Sequence, residues 1–146
     1  MTVALPDLAA TATLGAAIAE RLAPGDAVLL KGDLGSGKTT LARAILTALG
    51  VDETVPSPTF TLVQAYQTPR FPVSHYDLYR LKRPSELDEL GLDEALEDGA
   101  ALIEWPERAQ DRLPPDALSV HLLADQERRA TLAGPARWRG LESAYV

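Results

Sequence analysis

A glycine-rich stretch, Gly32-Asp-Leu-Gly-Ser-Gly-Lys-Thr-Thr40, is the part of the sequence with the most specific chemistry. Its spacing, Gly32-x-x-x-x-Gly37-Lys38-Thr39, matches the phosphate-binding loop in full. Glycines let successive backbone N–H groups turn toward phosphate oxygens without a Cβ clash. The Lys38 ammonium would reach the β- and γ-phosphates, and the Thr39 hydroxyl would bind Mg²⁺. The stretch predicts a nucleotide site whose contacts include Asp33, Leu34, Gly35, Ser36, Gly37, Lys38, Thr39 and Thr40.

The segments on either side of this loop supply the context that the motif requires. Residues 27–30 form a short apolar run, which is typical of a buried parallel strand. Residues 38–49 carry apolar side chains at helical spacing and end at Gly50, a good helix C-cap. A strand followed by the loop and a helix argues against a chance match on a glycine-containing turn.

Two carboxylates at strand ends could supply the metal with a further oxygen, as such a loop requires. Asp77 ends the run Val73-Ser-His-Tyr-Asp77, and Glu104 ends the run Ala101-Leu-Ile-Glu104. The pattern favours Glu104, because its strand is more uniformly apolar and is therefore expected at the centre of a sheet. The alternative for either residue is a solvated carboxylate at a strand end. His75 is as compatible with a packed strand position as with a chemical role.

The composition excludes several kinds of site. There is no cysteine and there are only two histidines, which excludes disulfides, thiolate zinc sites and multi-histidine metal centres. There is no asparagine, so the Asn-Lys-x-Asp motif that reads guanine is missing and ATP is the expected nucleotide. The net charge of −7 disfavours broad nucleic-acid binding by this chain alone.

The remaining pattern predicts one α/β domain over residues 1–146, with a sheet flanked by helices. The sheet is expected to be mostly parallel around the loop, with an antiparallel pair toward the C-terminal end. Predicted helices cover 8–22 and 84–96, and predicted strands cover 61–66, 72–76, 100–103, 118–123 and 128–133. Arg128 and Arg129 are expected at a solvated strand edge. No apolar run has membrane-spanning length and no signal peptide is evident, so a cytoplasmic location without membrane association is expected.

Four motifs in order make the chain resemble a known family. They are the glycine loop, Ser57-Pro-Thr-Phe-Thr61, His75-Tyr-Asp-Leu-Tyr-Arg80 and Ile103-Glu-Trp-Pro-Glu107. Together they resemble the TsaE (formerly YjeE) family of small bacterial ATPases, over about residues 11–107. The resemblance implies a P-loop NTPase-like fold, weak intrinsic ATP hydrolysis, and a requirement in forming N6-threonylcarbamoyladenosine next to the anticodon of tRNAs. It also implies binding to a TsaB–TsaD heterodimer, with tRNA reached only through that assembly.

The resemblance also implies roles for individual residues. Thr39 and Glu104 match the family's magnesium positions, and Asp77 matches a carboxylate needed for hydrolysis, so Asp77, Lys38 and Glu104 are the expected catalytic residues. The other implied nucleotide contacts are Thr59 in a switch loop near the γ-phosphate, Trp105 beside the site, and Thr11 near the base, with Thr13 close by.

Three hypotheses about function follow for a chain of this kind. The first is an Mg²⁺-dependent ATPase that serves a tRNA-modifying assembly. The second is a small-molecule or nucleotide kinase, which would need an acceptor pocket and usually an arginine-bearing lid. The third is a nucleotide switch that does not require hydrolysis. A slow ATPase needs a further stabilising group, for which Arg80 is an internal candidate.

Overall fold

The computed structural model describes residues 1–51 and 62–141, which form a helix-flanked sheet. The strands are β1 (Thr2–Ala4), β2 (Ala27–Lys31), β3 (Val63–Tyr66), β4 (Val73–Asp77), β5 (Ala100–Glu104), β6 (Leu118–Leu123) and β7 (Arg129–Ala133). The helices are α1 (Leu8–Arg21), α2 (Lys38–Ala48), α3 (Glu86–Glu89) and α4 (Leu92–Asp98), with 3₁₀ helices over Pro106–Arg112 and Ala136–Trp138. No helix in these two described ranges is both long and apolar enough to cross a bilayer.

The strand order is β1-β7-β6-β2-β5-β4-β3. The central strands β6, β2, β5 and β4 run parallel, whereas β7 and β1 at one edge and β3 at the other pair antiparallel. The predicted α/β sheet and its antiparallel β6–β7 pair are therefore confirmed. Strand β1 and the antiparallel pairing of β3 with β4 were not expected from the pattern. Because β2, β5 and β4 are parallel neighbours, their carboxyl ends meet at one edge of the sheet.

Strand β5 is the most deeply placed strand, as its apolar sequence predicted. All five of its residues are buried, and it lies between β2 and β4. A strand with both neighbours parallel and both faces covered reads as a continuous apolar run. The one charged side chain at its end, Glu104, is consequently buried as well, with 2% of its surface exposed.

Helices α1 and α2 pack against each other on one side of the sheet. Asp7 caps α1 by accepting a hydrogen bond from the Ala10 amide at 2.8 Å. A Cβ added to Gly15 would lie 2.6 Å from the Cβ of Ala44. A residue without a side chain is thus required where α1 meets Ala44 of α2. Their shared core includes the fully buried side chains of Leu14, Ile18, Leu41 and Ile45.

The prediction of one helix over 84–96 was wrong. The segment forms two short helices, α3 and α4, that are separated by Leu90 and Gly91. Gly91 has a φ of 73°, which is left-handed and ends a right-handed helix. Leu87, Leu90 and Leu96, whose spacing alone indicated a continuous helix, still pack in one apolar cluster.

Candidate functional site

The glycine loop connects β2 to α2 and has the backbone that phosphate binding requires. Gly32, Gly35 and Gly37 all have positive φ values, of 146°, 80° and 107°. A Cβ on Gly32 would come within 2.4 Å of the Ser36 Oγ and 2.7 Å of the Leu122 carbonyl oxygen. The N-cap of α2 is Gly37, which has no side chain to occupy the first N–H groups of the helix. Those groups and the helix dipole therefore suit an anion.

Lys38 lies at the base of this loop with only 5% of its surface exposed. Its Nζ donates to the carbonyl oxygens of Gly32 at 2.5 Å and Asp33 at 2.9 Å, so Asp33 contacts the site through its backbone. Burial lowers the pKa of Lys38, and the nearby carboxylates, led by Glu104 and then Asp77, oppose that shift. These two carbonyl groups hold the Lys38 ammonium beside the loop, and phosphate oxygens could take their place.

Thr39 and the two predicted carboxylates converge beside the loop. The Thr39 hydroxyl is 2.9 Å from Glu104 Oε1 and 3.0 Å from Oε2. Asp77 at the end of β4 is in register with Glu104 at the end of β5, and only 6% of its surface is exposed. One Asp77 oxygen accepts the Tyr79 amide at 3.1 Å. The strand-end carboxylates predicted from the sequence therefore meet at one place in the fold.

His75 belongs to the same cluster, and the sequence did not decide between its alternatives. It is fully buried, and its Nε2 lies 2.6 Å from Glu104 Oε2. Because a carboxylate can only accept, Nε2 is the donor in this hydrogen bond. His75 therefore contacts the predicted metal-binding residue directly, and it is not merely a packed strand residue.

The donor set fits a magnesium ion. A hydroxyl and a carboxylate are hard oxygen ligands, and Mg²⁺ usually combines one or two carboxylates with waters and phosphate oxygens. The described part of the chain has no group of three or more His, Cys, Asp or Glu side chains arranged to hold a metal. A site built from Thr39 and Glu104 would thus need the phosphates of a nucleotide to complete it.

Trp105 follows Glu104 with a left-handed backbone, φ 58°, which ends β5 and starts the 3₁₀ helix at Pro106. A positive φ is uncommon for a tryptophan, and here it directs the indole back over the loop. The ring centroid lies 4.2 Å from Lys38 Nζ and 5.0 Å from the Tyr79 ring centroid. The Trp105 indole therefore lies beside the loop, with Tyr79 as its aromatic neighbour.

A cavity of about 580 Å³ joins these groups to a second set of residues. We call Thr39, Asp77, Glu104 and Trp105 the carboxylate side. The opposite wall, which we call the rim side, comprises residues 5–8, Thr11, Leu122, Leu123, Arg128 and Arg129. The other loop residues, Leu34–Lys38 and Thr40, lie between the two sides.

Thr11 lines the cavity, whereas the Thr13 hydroxyl donates to the Ala9 carbonyl at 3.0 Å. A contact between Thr11 and the nucleotide stays a prediction. Arg80 is exposed and is not among the described residues that line the cavity. Thr59 lies outside the described residues.

Arg128 is a cavity residue that sequence reasoning missed. It was expected at a solvated strand edge, yet its Nη1 lies 3.4 Å from the carbonyl oxygens of both Gly35 and Ser36. The exposed leucines Leu8 and Leu34 also line the cavity. No local pattern indicates that Arg128 is near the loop, because only the pairing of β7 with β6, and of β6 with β2, brings it there.

Comparisons with known proteins agree with this geometry. The family model for TsaE, the threonylcarbamoyl adenosine biosynthesis protein, matches residues 5–131. A tRNA threonylcarbamoyladenosine biosynthesis protein TsaE from Rickettsia felis is 46% identical over 121 residues, which are 82% of this chain and 71% of that protein. The TsaE of Mycobacterium bovis is 42% identical over 131 residues, and the match covers 83% of this chain and 77% of that protein.

The fold has a similar solved structure. The crystal structure of Bacillus subtilis YdiB superimposes with a TM-score of 0.77 and 29% identity, and the match covers 99% of this chain and 93% of that one. The glycine loop, the converging strand-end residues and these matches lead to one conclusion: the chain belongs to the TsaE family of threonylcarbamoyl adenosine biosynthesis proteins.

Proposed function

We propose that this chain binds Mg²⁺–ATP and hydrolyses the ATP, and that it acts with a TsaB–TsaD pair to form the N6-threonylcarbamoyl group on the adenosine next to the anticodon of tRNAs. The observation that carries the ATPase part is the contact between the Thr39 hydroxyl and both oxygens of the buried Glu104. That contact lies directly beside a complete phosphate-binding loop. The relatives' role in tRNA threonylcarbamoyladenosine biosynthesis supports the pathway part.

The loop and Lys38 would bind the phosphates. The positive-φ glycines would let backbone N–H groups turn toward the phosphates, and Lys38 would exchange its two carbonyl contacts for phosphate oxygens. These groups are fixed before the nucleotide arrives. Phosphoryl transfer depends mainly on positioning and electrostatic stabilisation, and a preorganised loop supplies both.

Thr39 and Glu104 would hold the metal. When bound, Mg²⁺ supplies positive charge that neutralises the β- and γ-phosphate oxygens. Asp77 is the carboxylate next to Glu104 on the neighbouring strand, and we assign it the role of orienting the attacking water and accepting its proton. Asp77 is held by the Tyr79 amide, so its carboxylate is positioned by the backbone.

The rim side would hold the nucleoside. Because the carboxylates and Trp105 occupy one end of the loop, the base would extend toward Thr11 and the leucines at the other end. Arg128 would contact the phosphates or the ribose from the edge of the sheet. No asparagine is available to read guanine as GTPases do, which supports ATP.

Activation by partners is consistent with the exposed surface around the site. Tyr79 and Leu34 are large exposed side chains close to the loop. A partner that covers this edge could exclude water and supply a further stabilising charge. The net charge of −7 supports an indirect route to tRNA, because the chain alone would repel the phosphate backbone.

The test is phosphate release from Mg²⁺–ATP, measured for the chain alone and with a purified TsaB–TsaD pair. We expect slow release alone and a strong increase with the pair. ADP formation that depends on an added hydroxyl or nucleotide acceptor would instead identify a kinase. Normal tRNA modification by a variant that binds ATP without hydrolysing it would identify a nucleotide switch.

A further inference from the structure

His75 is a buried titratable side chain that the proposed hydrolysis does not use. It lies on β4 two residues before Asp77, and its partner across the parallel ladder is Leu102 on β5. Its surface is fully covered, and its Nε2 donates to Glu104 Oε2 at 2.6 Å. Glu104 Oε2 also accepts the Thr39 hydroxyl at 3.0 Å. One carboxylate oxygen thus joins the histidine to the hydroxyl beside the phosphate-binding loop.

A purely packing role does not explain this residue well. The His75 Nδ1 is buried and has no hydrogen-bond partner among the described residues. The neutral ring with its hydrogen on Nε2 is the form that avoids burying an unpaired donor. A leucine could fill the same space without burying any polar atom. The polar ring is therefore best explained by its one contact, the Glu104 carboxylate.

We propose that His75 is a positioning residue that fixes the Glu104 carboxylate for the metal of the Mg²⁺–ATP site. The inference rests on the proposed function. Without His75, Glu104 would keep only the Thr39 contact that the structure describes for its side chain, and its carboxylate would be free to rotate. Partners that orient a metal-binding side chain typically change metal affinity by about 10–100-fold when they are removed.

The experiment measures Mn²⁺ binding by electron paramagnetic resonance, with a non-hydrolysable ATP analogue present. For His75→Leu we expect an increase in the Mn²⁺ Kd of about tenfold or more. His75→Gln keeps an amide donor near the position of Nε2 and should stay within about threefold of wild type. The matched control is His121→Gln, which alters the exposed histidine on β6 and should leave Mn²⁺ binding unchanged.

Two further measurements separate positioning from general damage. Binding of the analogue in EDTA depends on the loop and Lys38, so His75→Leu should leave it unchanged. In a Glu104→Gln background, His75→Leu should weaken Mn²⁺ binding no further, because the side chain that it positions is already altered. If the double variant lost Mn²⁺ affinity by the sum of the losses that His75→Leu and Glu104→Gln cause singly, the proposal would be overturned.

A folded His75→Leu variant with wild-type Mn²⁺ affinity would also overturn it. Should His75→Leu fail to fold, His75→Asn takes its place, because its amide is too short to reach Glu104. Weaker Mn²⁺ binding by His75→Asn than by His75→Gln then supports the proposal, and equal Mn²⁺ binding by the two variants refutes it. A wild-type chain that binds no Mn²⁺ with the analogue would refute the proposed Mg²⁺–ATP function itself. That result differs from failure of the His75 proposal alone, in which wild type binds Mn²⁺ and His75→Leu binds it equally well.

Discussion

Glu104 on the carboxylate side of the cavity and Arg128 on the rim side differ in how firmly they are held. On the carboxylate side, Glu104 accepts hydrogen bonds from Thr39 and His75 at 2.6–3.0 Å, and all but 2% of its surface is buried. On the rim side, Arg128 is exposed and its Nη1 lies 3.4 Å from its nearest described acceptors. The difference indicates that the Glu104 carboxylate is preorganised, whereas the Arg128 guanidinium can adapt to a ligand.

The first prediction concerns the carboxylate side and has the largest expected effect. We expect Asp77→Asn to lower kcat for ATP hydrolysis by about 10²–10⁴-fold, because the amide cannot accept the proton of the attacking water. KM for ATP should change little. Steady-state phosphate release measures both constants. The matched control, Asp98→Asn on the exposed end of α4, should keep wild-type kcat. An Asp77→Asn variant with wild-type kcat would remove Asp77 from the mechanism.

The second prediction uses Tyr76, which is on β4 between His75 and Asp77 and faces the opposite side of the sheet. Burial raises the pKa of Tyr76 from 10.0 to about 12. Between these pH values the unfolded chain loses this proton and the folded chain retains it, so stability falls as pH rises. The loss from this residue should reach about 2–3 kcal/mol by pH 12.

Denaturant unfolding at a series of alkaline pH values measures this slope. Tyr76→Phe should have a shallower slope than wild type between pH 10 and 12, although it also loses the hydrogen bond to the Leu90 carbonyl. Equal slopes in the two proteins would show that β4 is open to solvent, which would weaken the contrast between the two sides.

The third prediction tests how the rim side is attached to the loop. Helix α1 carries Thr11 and packs on α2 through Gly15. We expect Gly15→Ala to lower the free energy of unfolding by about 1–3 kcal/mol, because its methyl group would overlap Ala44. The displaced helix should raise KM for ATP more than it lowers kcat. Ala16→Ser at the exposed neighbour is the control and should cost under about 0.5 kcal/mol in chemical denaturation. A fall in kcat by the same factor as the rise in KM would mean that displacing α1 disturbs the carboxylate side as much as the rim side.

The fourth prediction concerns Arg128 and has the smallest effect. Arg128→Ala should raise the Kd for ATP by about tenfold, as expected for one exposed charged contact, with kcat nearly unchanged. The difference from wild type should shrink at high salt, because the guanidinium is solvent-exposed. Isothermal titration calorimetry at two salt concentrations measures it, with Arg83→Ala as the control. A large fall in kcat would make Arg128 a catalytic group and would contradict the division into two sides.

The local elements around the loop were predictable because each depends on neighbouring residues. The strand before the loop, α2 and the buried strand ending at Glu104 follow from continuous runs of residue types. The helix over 84–96 was wrong because apolar spacing does not register the left-handed turn at Gly91. The contact between His75 and Glu104 was not predictable, since it joins strands separated by 29 positions in the chain.

Residue types and their spacing along the chain predict the phosphate-binding loop, the two carboxylates at strand ends and ATP as the nucleotide. The order of the strands in the sheet is visible in the folded structure alone. That order puts β4 beside β5, so that Asp77 meets Glu104 and His75 reaches its carboxylate. It also puts β6 and β7 beyond β2, so that Arg128 reaches the loop. Strand order is set by packing between distant segments, and no local spacing encodes it.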